Sequence, residues 1–170
     1  GRTGRLDGET LASFQQVIRR FRDHFWPLDL LLATGDLVHD ASPEGYRRIA
    51  GMLSEFGVPV FSLPGNHDKP AVMRQHLRAE RVTTDSVIDH AGWRFVMLDS
   101  VVPGSEGGRL RVDQLELLEA ALGASDRHVL VCMHHQPVKV GSAWIDTMAI
   151  DNPGPLFDII DRHENVRGLL

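Results

Sequence analysis

Val58-Pro59-Val60-Phe61-Ser62-Leu63-Pro64-Gly65-Asn66-His67-Asp68 is the stretch on which the reading of this chain turns. A short, mostly apolar run, too brief for a helix, ends on a proline, a glycine and three polar side chains. Such a run, bounded by turn residues, has the pattern of a strand buried on both faces. Upstream, Ser42-Pro43-Glu44 reads as an N-cap with proline at the first helical position. The helix behind it carries Tyr46, Ile49, Leu53 and Phe56 on its buried side and stops at Gly57. A helix leading into a fully buried strand is one unit of an α/β sheet.

Working outward, the same alternation recurs. Thr10 to Phe25 places Leu11, Phe14, Ile18, Phe21 and Phe25 on one helical face, and Leu28 to Thr34 follows as an apolar run. A shorter helix is expected over Pro70 to Ala79. Ser86 to His90 and Trp93 to Asp99, joined by Ala91-Gly92, read as an antiparallel hairpin. Gly104 to Gly108 is a loop. Asp113 and Glu116 have capping-box spacing ahead of a helix that buries Leu115, Leu118 and Leu122 and precedes Gly123. His128 to Met133 is a further strand, Pro153 to His163 a last helix and Val166 to Leu170 a last strand. The expected fold class is a layered α/β domain, with a mixed, mostly apolar sheet flanked by helices.

Composition bounds what such a domain does. The 170 residues are 42% hydrophobic and 24% charged, an ordinary globular balance, and the net charge is −5. With the basic residues spread along the chain, this argues against nucleic acid or an anionic membrane as an electrostatic partner. The single cysteine, Cys132, excludes an internal disulfide and reads as an inert core thiol. No membrane span or signal peptide is visible, so a soluble, cytoplasmic domain is expected. The chain starts without methionine and stops within an apolar run, which reads as a piece of a longer protein. Neither a Gly-x-Ser-x-Gly elbow nor a Gly-rich loop ending in Gly-Lys-Ser/Thr occurs.

Ligands of open α/β sheets bind beyond the carboxyl ends of the strands. Here three strands lead into Thr34-Gly35-Asp36-Leu37-Val38-His39-Asp40, Pro64-Gly65-Asn66-His67-Asp68 and His134-His135-Gln136-Pro137. Singly, Gly35-Asp36 is a common turn, Asn66-His67-Asp68 a polar one, and His134-His135 an ambiguous pair. Their shared position after three strands points instead to a metal-ligand set of oxygen and imidazole donors. His24, His76, His90, His128 and His163 read as solvated or capping residues.

These motifs, together with Ser42-Pro43, Tyr46 and Leu98-Asp99-Ser100, resemble the calcineurin-like metallophosphoesterases. Within them the chain is similar to the bacterial class III 3′,5′-cyclic AMP phosphodiesterases, from about Gly4 to Leu170. The resemblance implies hydrolysis of a cyclic nucleotide to its 5′-monophosphate by a hydroxide held between two divalent metals, Mn, Fe or Zn. It further implies that Asp36 bridges the metals, that Asn66 and His134 ligate the second, and that His67 contacts the phosphate and the leaving oxygen. Asp68 would orient His67. His39, Asp40 and His135 lie near the rim without an assigned role.

The family's N-terminal Asp-x-His and late Gly-His-x-His are missing from these 170 residues; Asp23 and His24 are adjacent and late in a helix. The expectation is therefore one metallophosphoesterase domain over residues 1–170, lacking the N-terminal strand and the C-terminal part and holding at most one metal by itself. Other expected classes are a non-catalytic metal-binding relative, or hydrolysis of a glycerophosphodiester or nucleotide-sugar lipid. The family is often dimeric, so a homodimer is the expected assembly. Trp144, after the His134 strand, is either a platform for a base or buried packing.

Overall fold

Alternate residues of each central strand belong to different cores, and this period of two builds the molecule in layers. The computed structural model describes residues 8–25 and 27–170. The elements are α1 (Gly8–Phe25), β1 (Leu31–Ala33), α2 (Pro43–Ser54), β2 (Val60–Ser62), α3 (Pro70–His76), β3 (Val82–Thr83), β4 (Val87–His90), β5 (Trp93–Met97), α4 (Val112–Gly123), β6 (His128–Cys132), α5 (Pro153–Ile160) and β7 (Val166–Leu169). A single 3-10 turn covers Ile145–Met148. Among the described residues no helix is long and apolar enough to cross a membrane.

The expected mixed sheet is one of two. β1, β2 and β3 form a parallel sheet, and β4-β5-β6-β7 a second sheet in which only the β4–β5 pair is antiparallel. Leu30, Leu32, Phe61 and Leu63 meet Phe95, Met97, Leu130 and Cys132 in a core between the sheets, with the Phe61 and Phe95 rings 5.2 Å apart. The residues between them on the same strands face outward. Leu31, Ala33 and Val60 pack with Tyr46, Ala50, Leu53 and Met73 of α2 and α3, joined by Ile18 of α1. Val96, Val129 and Val131 pack with Leu118, Leu122, Leu156 and Ile159 of α4 and α5. The order is helix, sheet, sheet, helix, which is why the strands are apolar on both faces.

Local signals are obeyed where side-chain chemistry is strong. The Ser42 hydroxyl accepts from Gly45 N at 3.1 Å, with Pro43 opening α2. Ala91 and Gly92, both at positive φ, turn the hairpin, and Arg94 binds its cross-strand partner Asp89 at 2.8 and 2.9 Å.

Several expectations are corrected. No capping box opens α4: the N-cap is Arg111, with no side-chain cap, and Asp113 lies inside the first turn. Its carboxylate accepts from Arg111 Nε at 3.1 Å and Gln114 Nε2 at 2.9 Å, so it has no role as a cap. That helix also runs through Gly123 rather than stopping before it. α2 ends at Ser54, leaving Phe56 in the turn before Gly57, although Phe56 is buried as expected. α3 ends at His76 and α5 at Ile160, each about a turn early, because the following residues close tight turns instead. The two-residue β3 has too little pattern to be read from sequence. The side chains of Leu11, Phe14 and Phe25 lie outside the described residues.

Candidate metal centre

The residues after β1 turn sharply. Gly35 has φ of 104° and Asp36 a φ of 56°, a left-handed conformation that an aspartate tolerates better than most side chains. This turn presses Asp36 against the turn after β2. A Cβ on Gly65 would lie 2.3 Å from Asp36 Oδ1 and 2.8 Å from His134 Cε1, and one on Gly35 would lie 2.5 Å from His134 Nδ1. The glycines beside the polar motif therefore let three loops touch.

Asp68 joins the first two loops. Its buried carboxylate accepts four hydrogen bonds: from Leu37 N at 3.2 Å, Val38 N at 3.3 Å, Gly65 N at 2.9 Å and the Tyr46 hydroxyl at 2.9 Å. None comes from His67, so the expected orienting contact is replaced by a structural one. The Tyr46 hydroxyl in turn accepts from Lys69 N at 3.1 Å, and burial together with the neighbouring Asp68 charge pushes its ionisation well above the usual phenol range. Sequence reading placed Tyr46 on a buried helical face. Its polar tip was the available sign that it also serves a carboxylate.

His134 arrives from the other sheet. Its Nδ1 lies 2.9 Å from the Thr34 carbonyl, which can only accept, so Nδ1 carries the proton. Nε2 is then the free lone pair of the neutral ring. It lies 3.0 Å from Asn66 Oδ1 and 3.6 Å from Asp36 Oδ2. Asp36 is held from the other side, since its Oδ1 accepts from His67 N at 3.0 Å. Three electron-pair donors thus converge with no hydrogen between them unless the ring takes a second proton. A cation removes that repulsion, and carboxylate, amide and imidazole suit a divalent transition metal. The arrangement fits a metal. Among the described residues no three His, Cys, Asp or Glu side chains group as ligands; here an amide completes the set.

Behind His134 stands His135, buried, its ring 4.9 Å away and edge-on. Its Nε2 donates to the Glu106 carbonyl at 3.1 Å, and its Nδ1 lies 2.8 Å from Ser100 Oγ, which donates to the neutral ring. Burial, then the neighbouring His134, lower its pKa, which matches a neutral packing histidine. Ser100 therefore acquires a function that its motif did not disclose. Asp40 caps its own loop by accepting from Ser42 N at 3.1 Å. The His39 ring lies 5.1 Å from that of His67.

Asp36, Asn66, His67 and His134 share one cavity of about 340 Å³, whose lining also includes Glu106, Gln136, Trp144 and Met148. Trp144 is exposed, so among the described residues nothing buries it. Cys132 is fully buried and its thiol is pushed up to about 12 by burial, inert as expected.

A four-layer α/β fold with a carboxylate, an amide and histidines at its strand ends defines a class, and the comparisons agree. The profile of the calcineurin-like phosphoesterases matches residues 8–158, and the chain belongs to that family. It is 36% identical over 166 residues to the 3′,5′-cyclic adenosine monophosphate phosphodiesterase CpdA of Pseudomonas aeruginosa, covering 97% of this chain and 61% of the relative. It is 35% identical over 168 residues to a 3′,5′-cyclic-nucleotide phosphodiesterase of Nostoc sp. (strain PCC 7120), covering 98% and 63%. The chain thus spans about three fifths of the length of these curated relatives. Among solved structures, TT1561 of Thermus thermophilus shares the fold, with a TM-score of 0.61 at 18% identity over 93% of this chain and 75% of that one.

Proposed function

We propose that the protein to which these residues belong is a metal-dependent phosphodiesterase that opens a 3′,5′-cyclic nucleotide, cyclic AMP foremost, to the 5′-monophosphate. The observation that carries this reading is the convergence of His134 Nε2, Asn66 Oδ1 and Asp36 Oδ2 within 3.6 Å, beside the exposed His67. Asp36, Asn66 and His134 would hold a divalent metal, Mn²⁺, Fe²⁺ or Zn²⁺, which when bound supplies Lewis-acid activation of water and phosphate at neutral pH. In the longer chain Asp36 would be shared with a second ion, whose other ligands would come from residues outside this segment.

The remaining roles fall to the chain's own groups. Thr34 O fixes the His134 tautomer so that Nε2 faces the ligand set. His67 sits on the cavity wall with its backbone N–H on Asp36. Its imidazole would meet the phosphate and give a proton to the departing 3′ oxygen. Asp68 acts at one remove, by locking the Asp36 and Gly65 turns together. The neutral amide of Asn66 leaves the ligand set with one formal negative charge, which suits an anionic diester.

The similarity to 3′,5′-cyclic-nucleotide phosphodiesterases supports cyclic AMP over other small diesters, and the net charge of −5 weighs against nucleic acid. We take the 170 residues as one domain of the longer enzyme, cytoplasmic and assembling as a homodimer. The test is hydrolysis of cyclic AMP by the full-length protein with Mn²⁺, alongside Mn²⁺ binding followed by electron paramagnetic resonance. Asn66→Ala is expected to lower kcat/KM by at least about 100-fold and to weaken Mn²⁺ binding. Ordinary activity in that variant overturns the reading.

A further inference from the structure

The ligand set forms one part of the cavity lining, its floor; the part carried by the loop of residues 137–148, its wall, is not accounted for by metal binding. Trp144 lines that wall and is 71% exposed, whereas Trp93 is 36% exposed and has the His128 ring 5.4 Å away. An indole exposed at the edge of a polar cavity lacks a packing explanation within the described residues.

Its loop is fastened nonetheless. Val140 N and Gly141 N donate to the Asp146 carboxylate at 2.7 and 3.2 Å, and Asp146 N donates to Ser142 O at 2.8 Å. Thr147 Oγ1 donates to Trp144 O at 2.6 Å, and Gln136 Nε2 donates to Ile145 O at 2.7 Å. Gln136 lies two residues beyond His134, so the backbone beneath Trp144 is tied to the strand end that carries a ligand. The indole keeps only its two side-chain torsions to adjust. A rigidly based aromatic at a cavity mouth binds at little conformational cost. Met148, on the same wall, adds a polarisable thioether that packs well against aromatic rings.

We propose that Trp144 is the base platform of this enzyme, stacking the heteroaromatic base of a nucleotide whose phosphate lies at Asp36, Asn66, His67 and His134. Trp144 thereby determines the preference for nucleotides over diesters that lack a base. The proposal rests on the phosphodiesterase reading above. A cavity of about 340 Å³ falls within the usual range for small-molecule sites. Stacking on an aromatic side chain is tolerant of base identity because every base has a π face. The platform therefore selects for a base, and for purines through their larger area, without reading base edges.

The test uses the full-length protein and two substrates, cyclic AMP and a ribose 3′,5′-cyclic phosphate bearing a methoxy group in place of the base. Trp144→Ala is expected to raise KM for cyclic AMP about tenfold, to leave kcat within about twofold, and to leave the base-free substrate unchanged. Trp144→Phe should recover most of the loss. Quenching of tryptophan fluorescence by 5′-AMP, present in the wild type and absent in Trp144→Phe, reports stacking without turnover. Equal losses on both substrates, or no loss on cyclic AMP, overturn the platform. If the wild type hydrolyses neither substrate, the phosphodiesterase reading fails by itself, and the quenching titration still decides for or against the platform. Absence of quenching in the wild type means that another part of the chain covers the indole, and the proposal falls.

Discussion

The two walls of the cavity are built on opposite principles. On the floor, the Asp36 and Gly65 turns are locked by one buried carboxylate with four donors, and glycines bring backbone and ligands into contact. On the wall, the 137–148 loop is held by short-range bonds within itself and by Gln136, and its apolar side chains Val138, Val140, Trp144 and Ile145 are exposed among the described residues. Ligand chemistry needs donors fixed to within a fraction of an ångström, so the floor is over-determined. Contact with a variable organic group needs only a surface held at the right place, so the wall is fastened at its base and open at its tip. The floor should therefore be costly to disturb and the wall cheap.

The largest difference is expected at Asp68. Asp68→Ala strands three backbone N–H groups and a phenol, and should lower stability by about 3–5 kcal/mol, read from urea denaturation. A loss under about 1 kcal/mol would mean that the two turns stay closed without it and that the floor is not distinguished in this way. Asp68→Asn, which keeps an acceptor, should lose less.

Tyr46 comes next. It is the only tyrosine of the 170 residues, and its ionisation can be followed as the near-ultraviolet absorbance difference between the wild type and Tyr46→Phe. Its folded-state pKa lies above the ordinary phenol value of about 10. The unfolded chain therefore loses the phenolic proton first as the pH rises. Stability from this group is complete below about pH 10 and declines above it, by up to about 1.4 kcal/mol per pH unit. Tyr46→Phe should cost about 1–2 kcal/mol at neutral pH and should lack this alkaline loss. A phenol that titrates at its ordinary value would break the link between Tyr46 and Asp68.

The smallest effect belongs to the wall. Trp144→Ala should change the denaturation midpoint by the equivalent of no more than about 0.5 kcal/mol, as expected for exposed positions. A loss above about 2 kcal/mol would make Trp144 a packing residue and erase the contrast between the two walls.

Legibility in the sequence followed the range of the interaction. The Ser42 cap, the hairpin at Ala91-Gly92 and the apolar strands were readable because each is specified within a few residues. Asp113 misled because its spacing to Glu116 is a local signal, while its real partners, the Arg111 guanidinium and the Gln114 amide, depend on where the extended segment enters α4. β3 escaped because two residues carry no period. At the site, Asp36, Asn66, His67 and His134 were legible as a group from their common place after strands. Asp68 was legible as a site residue, but its acceptance of the Leu37, Val38 and Tyr46 donors was not. The Ser100 to His135 bond spans 35 residues, and no local pattern announces it.

The sequence alone determined that the chain alternates buried strands with amphipathic helices, that three strands end in oxygen and imidazole donors, and that the motifs are those of a phosphoesterase. These follow from periodicity, turn chemistry and side-chain inventory, all of which are properties of neighbours along the chain. Tertiary structure alone decided that the strands divide into two sheets, that His134 donates to a carbonyl 100 residues away, that its other nitrogen faces Asn66, and that no described residue buries Trp144. Each depends on which face of a strand meets which layer, and that is fixed by the packing of the whole core rather than by any one segment.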